Sequence, residues 1–367
     1  VFNFPVVPAG VLYTLEAYRN DQPRNGVSTA DLITLQKHLL GSEPLNDPYL
    51  MIAADANANG TITAFDLIEI RKLILGKYEE FPNNTSWKFI PGSYVFQDPY
   101  NPFPYNEQST FVVDQNGKIE NFMAIKVGDL NRSATTHFQG LHPRSEATAP
   151  LTALDRFVGV GEEFEVKLSL TEFKEKVLGA QWTLKMNGAK VINVTAVDPS
   201  MKEEMWFATE SEVRWSWNTT QAQPGSDLVT VKLMALKAGK ISEMVSIDPY
   251  FLEPELYDEN QETYHLELEW RTEEEVQQAS DIQLHQNRPN PWVDETVIPF
   301  EIPERGEVTI TITNASGDEV KTITKEFAAG KQQLKITNED WVPGTYYYTI
   351  RYGDAQLSKT MLILNKR

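Results

Sequence analysis

A repeated stretch of eleven residues restricts the fold of this chain more than any other feature. "DLITLQKHLLG" begins at Asp31 and "DLIEIRKLILG" begins at Asp66, with six identical positions at an offset of 35 residues. Apolar residues recur in each copy with helical spacing, and each copy ends on a glycine where a C-terminal cap belongs. The repeat therefore predicts two amphipathic helices that bury their apolar faces against each other.

The loop before the second helix alternates residues that can offer oxygen to a metal. In a loop of the EF-hand type, ligands stand at positions 1, 3, 5, 7 and 12, and glycine at position 6 makes the turn. The sequence "DANANGTITAFD" fits this spacing, and we predict one Ca²⁺ here, with a metal-free Asn/Gly turn as the alternative. Only two ligands are carboxylates, so a Kd on the order of 10⁻⁴–10⁻³ M, suited to extracellular fluid, is expected. The predicted ligands are Asp55, Asn57, Asn59, the carbonyl of Thr61, and Asp66.

The loop before the first helix departs from this pattern. With Asp31 at position 12, positions 1, 3 and 5 fall on Asn20, Gln22 and Arg24. A guanidinium would then stand where an oxygen ligand is needed. The sequence predicts that this loop holds no metal and that Arg24 replaces the cation electrostatically.

Composition excludes several classes of function. The 367 residues carry a net charge of -19, so phosphate-rich partners such as nucleic acid would be repelled. There is no cysteine, which excludes disulfides, thiolate nucleophiles and cysteine–zinc sites. No apolar run reaches the ~18 residues of a transmembrane helix. The histidines are scattered, and HExxH, GxSxG and phosphate-binding glycine loops are missing from the sequence, so we do not expect an enzyme.

Alternating apolar and polar residues indicate that most of the chain is β-structure. Segments such as "EFEVKLSL", "EVRWSW" and "LVTVKLMAL" predict an antiparallel sandwich, and "EVTITIT" and "GTYYYTIRYG" predict a smaller one after a charged linker near 271–280. The fold class is therefore mainly β and multi-domain, with a small α-helical module before the two sandwiches. The predicted domains are 1–17, the end of a preceding β module; 18–80, the helix pair; 81–140, an aromatic and proline-rich connector packed on it; 141–270, the larger sandwich; and 281–367, the smaller one.

The paired loops and helices over residues 18–80 resemble a type I dockerin. The match is good in the second copy and degenerate in the first. Dockerins bind cohesins through loop positions 10 and 11, which implies contact residues at Thr29 and Ala30 in the first copy and at Ala64 and Phe65 in the second. The alternative is that the helix pair serves as a rigid spacer.

The larger sandwich is similar to a cohesin. The similarity rests on the order of "GEEFEVKLSL", "LGAQWTLKMNGAKVINVTAV", "LVTVKLMALKAG" and "LYDENQETYHLELEW". A cohesin-like and a dockerin-like module in one chain imply either an intramolecular contact or head-to-tail assembly into a homo-oligomer. Trp215 and Trp217 share one face of a strand, which suits a sandwich core or, as the alternative, a sugar-stacking platform.

Residues 281–367 closely resemble the type A C-terminal sorting domain of the Bacteroidota type IX secretion system. The resemblance implies export to the cell surface, with the translocon, a shuttle and a sortase as partners. Its opening "LHQNRPNPWVDETVIPFEIP" and its close "GTYYYTIRYGDAQLSKTMLILNKR" carry the motifs. The implied sorting-signal residues are Asn290, Pro291, Gly344, Tyr346, Lys359 and Lys366.

Taken together, the order of modules resembles the C-terminal region of very large surface proteins of the Bacteroidota. The leading hypothesis is the anchor and assembly end of a giant secreted adhesin or appendage, of which this chain would be a fragment. The alternative is the accessory and sorting tail of a secreted hydrolase whose catalytic domain lies upstream.

Overall fold

Two β-sandwiches, three short α-helices and two small β-ladders are the main elements of the residues that the structure describes. The structure is a computed structural model that covers residues 3–4, 7–114, 118–135, 147–272, 282–338, 341–353 and 355–364. The chain divides into two compact units, Val1–Trp270 and Arg271–Arg367. The first unit contains the helices, the connector and the larger sandwich, so segments that the sequence suggested as separate domains share one unit. None of the helices in the described residues is long and apolar enough to cross a membrane.

The repeat forms two helices, as its spacing predicts. These are α1 (Thr29–Leu39) and α3 (Ala64–Ile74), and a third helix, α2 (Pro48–Ala54), lies between them. The first and last begin alike, because Ser28 and Thr63 each form a capping box with an aspartate three residues on. The sequence analysis missed α2, which is only seven residues long and carries no repeat. One core holds the apolar faces of the helices, including Leu32, Leu35, Ile70, Leu73 and Ile74.

The connector is ordered around two small antiparallel ladders. β1 (Leu12–Glu16) pairs with β3 (Gln108–Val112), and β2 (Trp87–Pro91) pairs with β4 (Phe122–Lys126). Residues 1–17 were expected to end a preceding module, but β1 pairs within the connector and so belongs to the first unit. Aromatic side chains of the connector pack around Ile52 and Ala53 of α2, and these are Tyr94, Phe96, Phe103 and Tyr105.

The larger sandwich has a ten-stranded sheet folded around one apolar core. Trp182 and Trp215 face each other across neighbouring strands, with ring centroids 5.0 Å apart and nearly parallel. The strands are β5 (Thr148–Leu154), β6 (Phe157–Val158), β7 (Glu163–Ser169), β8 (Val177–Met186), β9 (Ala189–Ala196), β10 (Trp206–Ala208), β11 (Glu212–Gln223), β12 (Asp227–Ala235), β13 (Gly239–Lys240), β14 (Val245–Ile247), β15 (Glu255–Asp258) and β16 (Thr263–Arg271). Their order along the sheet is β10-β11-β8-β15-β16-β5-β7-β12-β9, with β14 paired to β8, and β6 pairs separately with β13.

The second unit is a smaller sandwich of a three-stranded and a four-stranded sheet. The strand orders are β17-β18-β21 and β20-β19-β22-β23. Phe300 from one sheet and Ile310 and Ile350 from the other belong to the same buried cluster. The strands are β17 (Gln283–Leu284), β18 (Glu295–Ile302), β19 (Gly306–Asn314), β20 (Glu319–Phe327), β21 (Gly330–Thr337), β22 (Gly344–Tyr352) and β23 (Ala355–Ile363).

Candidate functional site

The predicted calcium loop runs from the end of α2 into α3 and brings all five predicted ligand residues into one turn. Asp55 accepts hydrogen bonds from the backbone amides of Asn59, at 3.0 Å, and Gly60, at 2.8 Å. Asp66 accepts from the amide of Asn57 at 3.2 Å. The side chains of Asn57 and Asn59 accept from amides two residues on, and Gly60 has the positive φ that the turn requires.

The two carboxylates of this loop lie close enough to repel each other. Burial raises the pKa of Asp66, and the charge of Asp55 raises it further, while hydrogen bonds from Thr63 and Asn57 lower it. A divalent cation between the two carboxylates would remove this repulsion. The set of two carboxylates, two amide oxygens and a carbonyl offers oxygen alone, which is the chemistry that Ca²⁺ prefers. In the described residues, no group of three or more His, Cys, Asp or Glu could hold a metal, so the amides have to complete this set.

In the first repeat, the residues that the sequence places at positions 1 and 5 have partners outside the loop. Asn20 accepts a hydrogen bond from the amide of Ser86 and donates to Glu80. Arg24 stacks on the ring of Phe251, 3.8 Å from its centroid. The hypothesis that Arg24 replaces the cation is therefore wrong, because its guanidinium is engaged by an aromatic ring of the sandwich.

A segment that the sequence analysis missed meets Asp31 instead. Asp31 is fully buried and accepts from the backbone amides of Leu130, at 2.8 Å, and Asn131, at 3.1 Å. Burial, together with the charge of Asp129, raises the pKa of Asp31 to about 7. The sequence does contain a pattern that could have identified this segment. In "GDLNRSA", the aspartate and the asparagine have the same spacing as Asp55 and Asn57 in "ADANANG".

The start of α1 docks on the larger sandwich through buried polar groups. The Thr29 amide donates to the side-chain oxygen of Gln181 at 2.7 Å, and the Thr29 hydroxyl lies 2.6 Å from that of Ser216. Further along the helix, Asn218 donates to Gln36 at 2.7 Å. All of these sandwich residues stand on β8 or β11.

Apolar and cationic contacts complete this interface. Ile33 of α1 packs with Leu178 and Tyr257 of the sandwich. Arg71 of α3 donates to Asn218, and Arg214 donates to the carbonyl of Leu75 at 3.1 Å. The guanidinium groups of Arg24 and Arg214 both lie over the ring of Phe251. Gly76 ends α3 with a positive φ, and a Cβ there would stand 2.5 Å from Arg214 and from Phe251, so this position excludes a side chain.

The two copies of the repeat therefore differ in what they touch. Thr29 and Ala30, at loop positions 10 and 11 of the first copy, lie against the sandwich. Ala64 and Phe65, at the same positions of the second copy, are exposed, Phe65 at 71%. Trp215 and Trp217 are buried in the sandwich core, which rules out the sugar-stacking platform.

In the second unit, the Asn-Pro turn holds the last strand. Asn290 accepts from the Leu362 amide at 2.8 Å, and its side-chain amide donates to the Thr360 carbonyl at 3.4 Å. The backbone of Trp292 exchanges two hydrogen bonds with residues 362 and 364, and its ring is buried. The turn and β23 are thus joined along the edge opposite β22.

The other predicted sorting residues that the structure describes lie on or beside the same strand. Gly344 and Tyr346 on β22 pair with Ile363 and Met361, and the Tyr346 hydroxyl donates to the carbonyl of Val342 at 2.8 Å. Lys359 is exposed on β23. Pro291 follows Asn290 in the turn, and Lys366 lies outside the described residues.

Comparison with protein families identifies the second unit. Residues 288–364 match the family described as the secretion system C-terminal sorting domain. These residues are a type IX sorting domain. The sorting domain indicates that the protein is secreted or displayed at the cell surface, which confirms the predicted localisation. No curated protein matches the chain.

Solved structures similar to the chain include cohesins. A type I cohesin–dockerin complex from Clostridium thermocellum is 10% identical, with 36% of this chain and 99% of that chain covered and a TM-score of 0.28. A type II cohesin dyad from a scaffoldin of Acetivibrio cellulolyticus is 9% identical, covers 57% of this chain and 89% of its own, and has a TM-score of 0.26. A non-cellulosomal cohesin from Archaeoglobus fulgidus is 12% identical over 36% of this chain and 98% of its own, with a TM-score of 0.22.

The repeat offers a matched pair of substitutions for the docked helix. Ile33 is 2% exposed in the interface, whereas its counterpart at offset 35, Ile68, is 37% exposed. We predict that Ile33→Ala lowers the free energy of unfolding of the first unit by about 2–4 kcal/mol, because it leaves a cavity. Ile68→Ala should stay within about 0.5 kcal/mol of wild type. Urea denaturation measures both, and equal losses would contradict the interface.

The calcium loop is tested by comparing stability with and without the ion. A ligand that binds the folded state at ~100 times its Kd adds about 2.7 kcal/mol, so calcium should raise the melting temperature of the wild-type protein. Asp55→Ala should reduce this increment, because it removes a carboxylate ligand of the second loop. Asp98→Ala changes an exposed aspartate in a different loop and should keep the increment. A calcium increment of the same size in Asp55→Ala as in the wild-type protein would refute the site.

Proposed function

We propose that the chain is the anchor and assembly end of a large secreted adhesin or surface appendage. The observation that supports this best is the docking of α1 and α3 on the sandwich of the same chain. A helix pair that is docked on the sandwich of its own chain cannot move independently of it, so the first unit can act as a stiff element that precedes the sorting domain in the chain. This proposal combines two of the readings that the sequence left open, the intramolecular contact, whose alternative was head-to-tail assembly, and the rigid spacer, whose alternative was dockerin-like binding of a cohesin.

The character of the interface supports a permanent rather than an exchanging contact. Gln181, Ser216 and Asn218 are buried, and each has a partner on a helix. Separating the helices would leave these polar groups without their partners and would expose Ile33. In addition, the two guanidinium groups on Phe251 tie the first loop and β11 to one ring. Association of copies into a homo-oligomer remains a further proposal.

Calcium in the second loop would stiffen the same unit. Asp55 follows α2 directly, and Asp66 lies in the first turn of α3, so one ion would join the ends of two helices. The side chain of Asn84 donates to the Asp55 carbonyl at 2.9 Å, which links the loop to the connector as well. A weak site is sufficient for this role, because extracellular fluid is rich in calcium.

For the sorting domain, we propose handling by the type IX translocon, the shuttle and the sortase. The motif residues around Asn290 and Tyr346 shape the folded end of the chain that these factors would meet. We propose no catalytic role for the chain. The alternative function, the accessory and sorting tail of a secreted hydrolase, uses the same sorting domain and differs in the upstream part that carries the activity.

The export route has a direct test in a host with type IX secretion. Deleting residues 281–367 should leave the protein in the periplasm, because the sorting domain is lost while the first unit keeps its own core. Fusing residues 281–367 to an unrelated periplasmic reporter should send the reporter to the surface. Surface proteolysis and fractionation measure both. Surface display of the truncated protein would overturn the proposed route.

The stiffness of the first unit is tested by hydrogen exchange. If α1 and the sandwich open together, amides of α1 and of β8 should exchange with similar opening free energies. Ile33→Asp would place a charge in the interface and should free α1 to exchange much faster than β8, whereas Ile68→Asp should not. Fast exchange of α1 in the unmodified chain, with β8 still protected, would contradict a rigid unit.

A further inference from the structure

We propose that the chain binds a second Ca²⁺ in a site built from two separate segments, which goes beyond the single ion proposed for the second loop. The segments are residues 26–31, before α1, and residues 129–134, at the end of the connector, and we refer to them together as the split loop. In the split loop, residues 129–134 supply positions 1 to 6, and residues 26–31 supply positions 7 to 12. The donor oxygens would come from Asp129, Asn131, Ser133, Gly26 and Asp31.

The hydrogen bonds of the split loop repeat those of the second loop position by position. Asp129, at position 1, accepts from the amides of Ser133, at 3.0 Å, and Ala134, at 2.9 Å. Asn131, at position 3, also accepts from the Ser133 amide, at 3.0 Å. Asp55 and Asn57 make the same bonds to the amides at positions 5 and 6 of the contiguous loop.

Position 12 is joined to position 3 in both loops, although in one case the two residues are far apart in the chain. The amide of Asn131 donates to Oδ1 of Asp31 at 3.1 Å, across 100 residues. The amide of Asn57 donates to Oδ1 of Asp66 at 3.2 Å, across nine. The match is therefore between two places in the fold and does not follow from the sequence repeat alone.

The backbone also matches at the turn. Arg132 and Ala58, both at position 4, have φ of 58° and 56°. At the junction of the two segments, the carbonyl of Gly26, at position 7, accepts from the Ser133 hydroxyl at 2.9 Å. A Cβ on Gly26 would stand 2.5 Å from the amide nitrogen of Ala134. The end of one segment therefore lies against the start of the other, at the point where the second loop continues from position 6 to position 7.

The donor set is the kind that Ca²⁺ takes. It contains two carboxylates, one amide oxygen, one hydroxyl and one backbone carbonyl, and water would complete the six to eight oxygens of the ion. The carboxylates are as buried as those of the second loop. Asp31 and Asp66 are both 0% exposed, and Asp129 and Asp55 are both 5% exposed. Asn131 is exposed, which leaves a side open to water.

Lys126 is the cation that could compete with a metal here. Its ammonium is buried and donates to the carbonyls of Pro23, at 2.6 Å, and Val127, at 3.0 Å. These bonds hold it on backbone oxygens rather than on the carboxylates of Asp31 and Asp129. If Lys126 instead supplied the neutralising charge, the split loop would not take up Ca²⁺, and the test below detects this.

The proposal is tested by counting the ions bound to the full chain. Calorimetric titration with Ca²⁺ should give two ions for wild type, one for Asp129→Asn, one for Asp55→Ala and none for the double variant. Asn131→Ala, a milder change at an exposed position, should weaken one site at least tenfold. Asn20→Ala is the matched control, because Asn20 holds position 1 in the sequence alignment but not in the fold, and two ions should remain.

The outcomes separate the two sites. One ion that is lost in Asp55→Ala and kept in both Asp129→Asn and Asn131→Ala would overturn the split loop while the second loop stands. One ion that is kept in Asp55→Ala and lost in Asp129→Asn would support the split loop and overturn the calcium site of the second loop. Uptake of an additional ion on Lys126→Met alone would overturn the proposal, since the lysine would then be the native cation. Circular dichroism of each variant confirms folding, and calcium should slow hydrogen exchange of the Leu130 and Asn131 amides.

Discussion

The first unit depends on one buried carboxylate, that of Asp31. It accepts from the Ser28 amide and so closes the capping box that starts α1. Its other oxygen accepts from the amides of Leu130 and Asn131, which fixes the end of the connector against the same helix. Each of these amides would otherwise be an unsatisfied donor, and Ser28 and Leu130 are buried residues. A single side chain thus sets both where the first helix begins and where the connector returns.

From this fixed start, α1 presents Thr29 to the sandwich. A helix N-terminus has free amides, and here the Thr29 amide is satisfied by Gln181, a residue of another module. The Gln181 side chain is held in turn, because its amide donates to the carbonyl of Glu253. The second copy of the repeat has the same helical geometry, but Ala64 and Phe65 at its start carry no side-chain hydroxyl and are exposed. The helix α3 contacts the sandwich near its other end, through Arg71 and Leu75. The residues at loop positions 10 and 11 therefore distinguish the helix that docks through its N-terminus from the one that docks near its C-terminus.

Sequence patterns predicted the helices and strands better than the contacts that these elements make with one another. Periodicity gave α1, α3 and the alternating strands, because both depend on local spacing along the chain. The pairing of β1 with β3 and the hydrogen bond from Leu130 to Asp31 join residues about 100 positions apart, and no local pattern encodes such contacts. Arg24 shows the same limit. The alignment placed it at a ligand position, but the fold places it on Phe251.

In the sorting domain, long-range hydrogen bonds connect several motif residues to the last strand, β23. Asn290 and Trp292 bind one edge of the last strand near its end, and β22 pairs with the other edge along its whole length. With both edges engaged there, backbone hydrogen bonding at this end is satisfied within the domain. A factor that recognises the folded end therefore meets side chains, such as the exposed Lys359, rather than an open strand edge. The spacing of two of the motifs along the chain is then a consequence of the fold, because the Asn-Pro turn and the segment with Gly344 and Tyr346 are the places where the chain returns to β23.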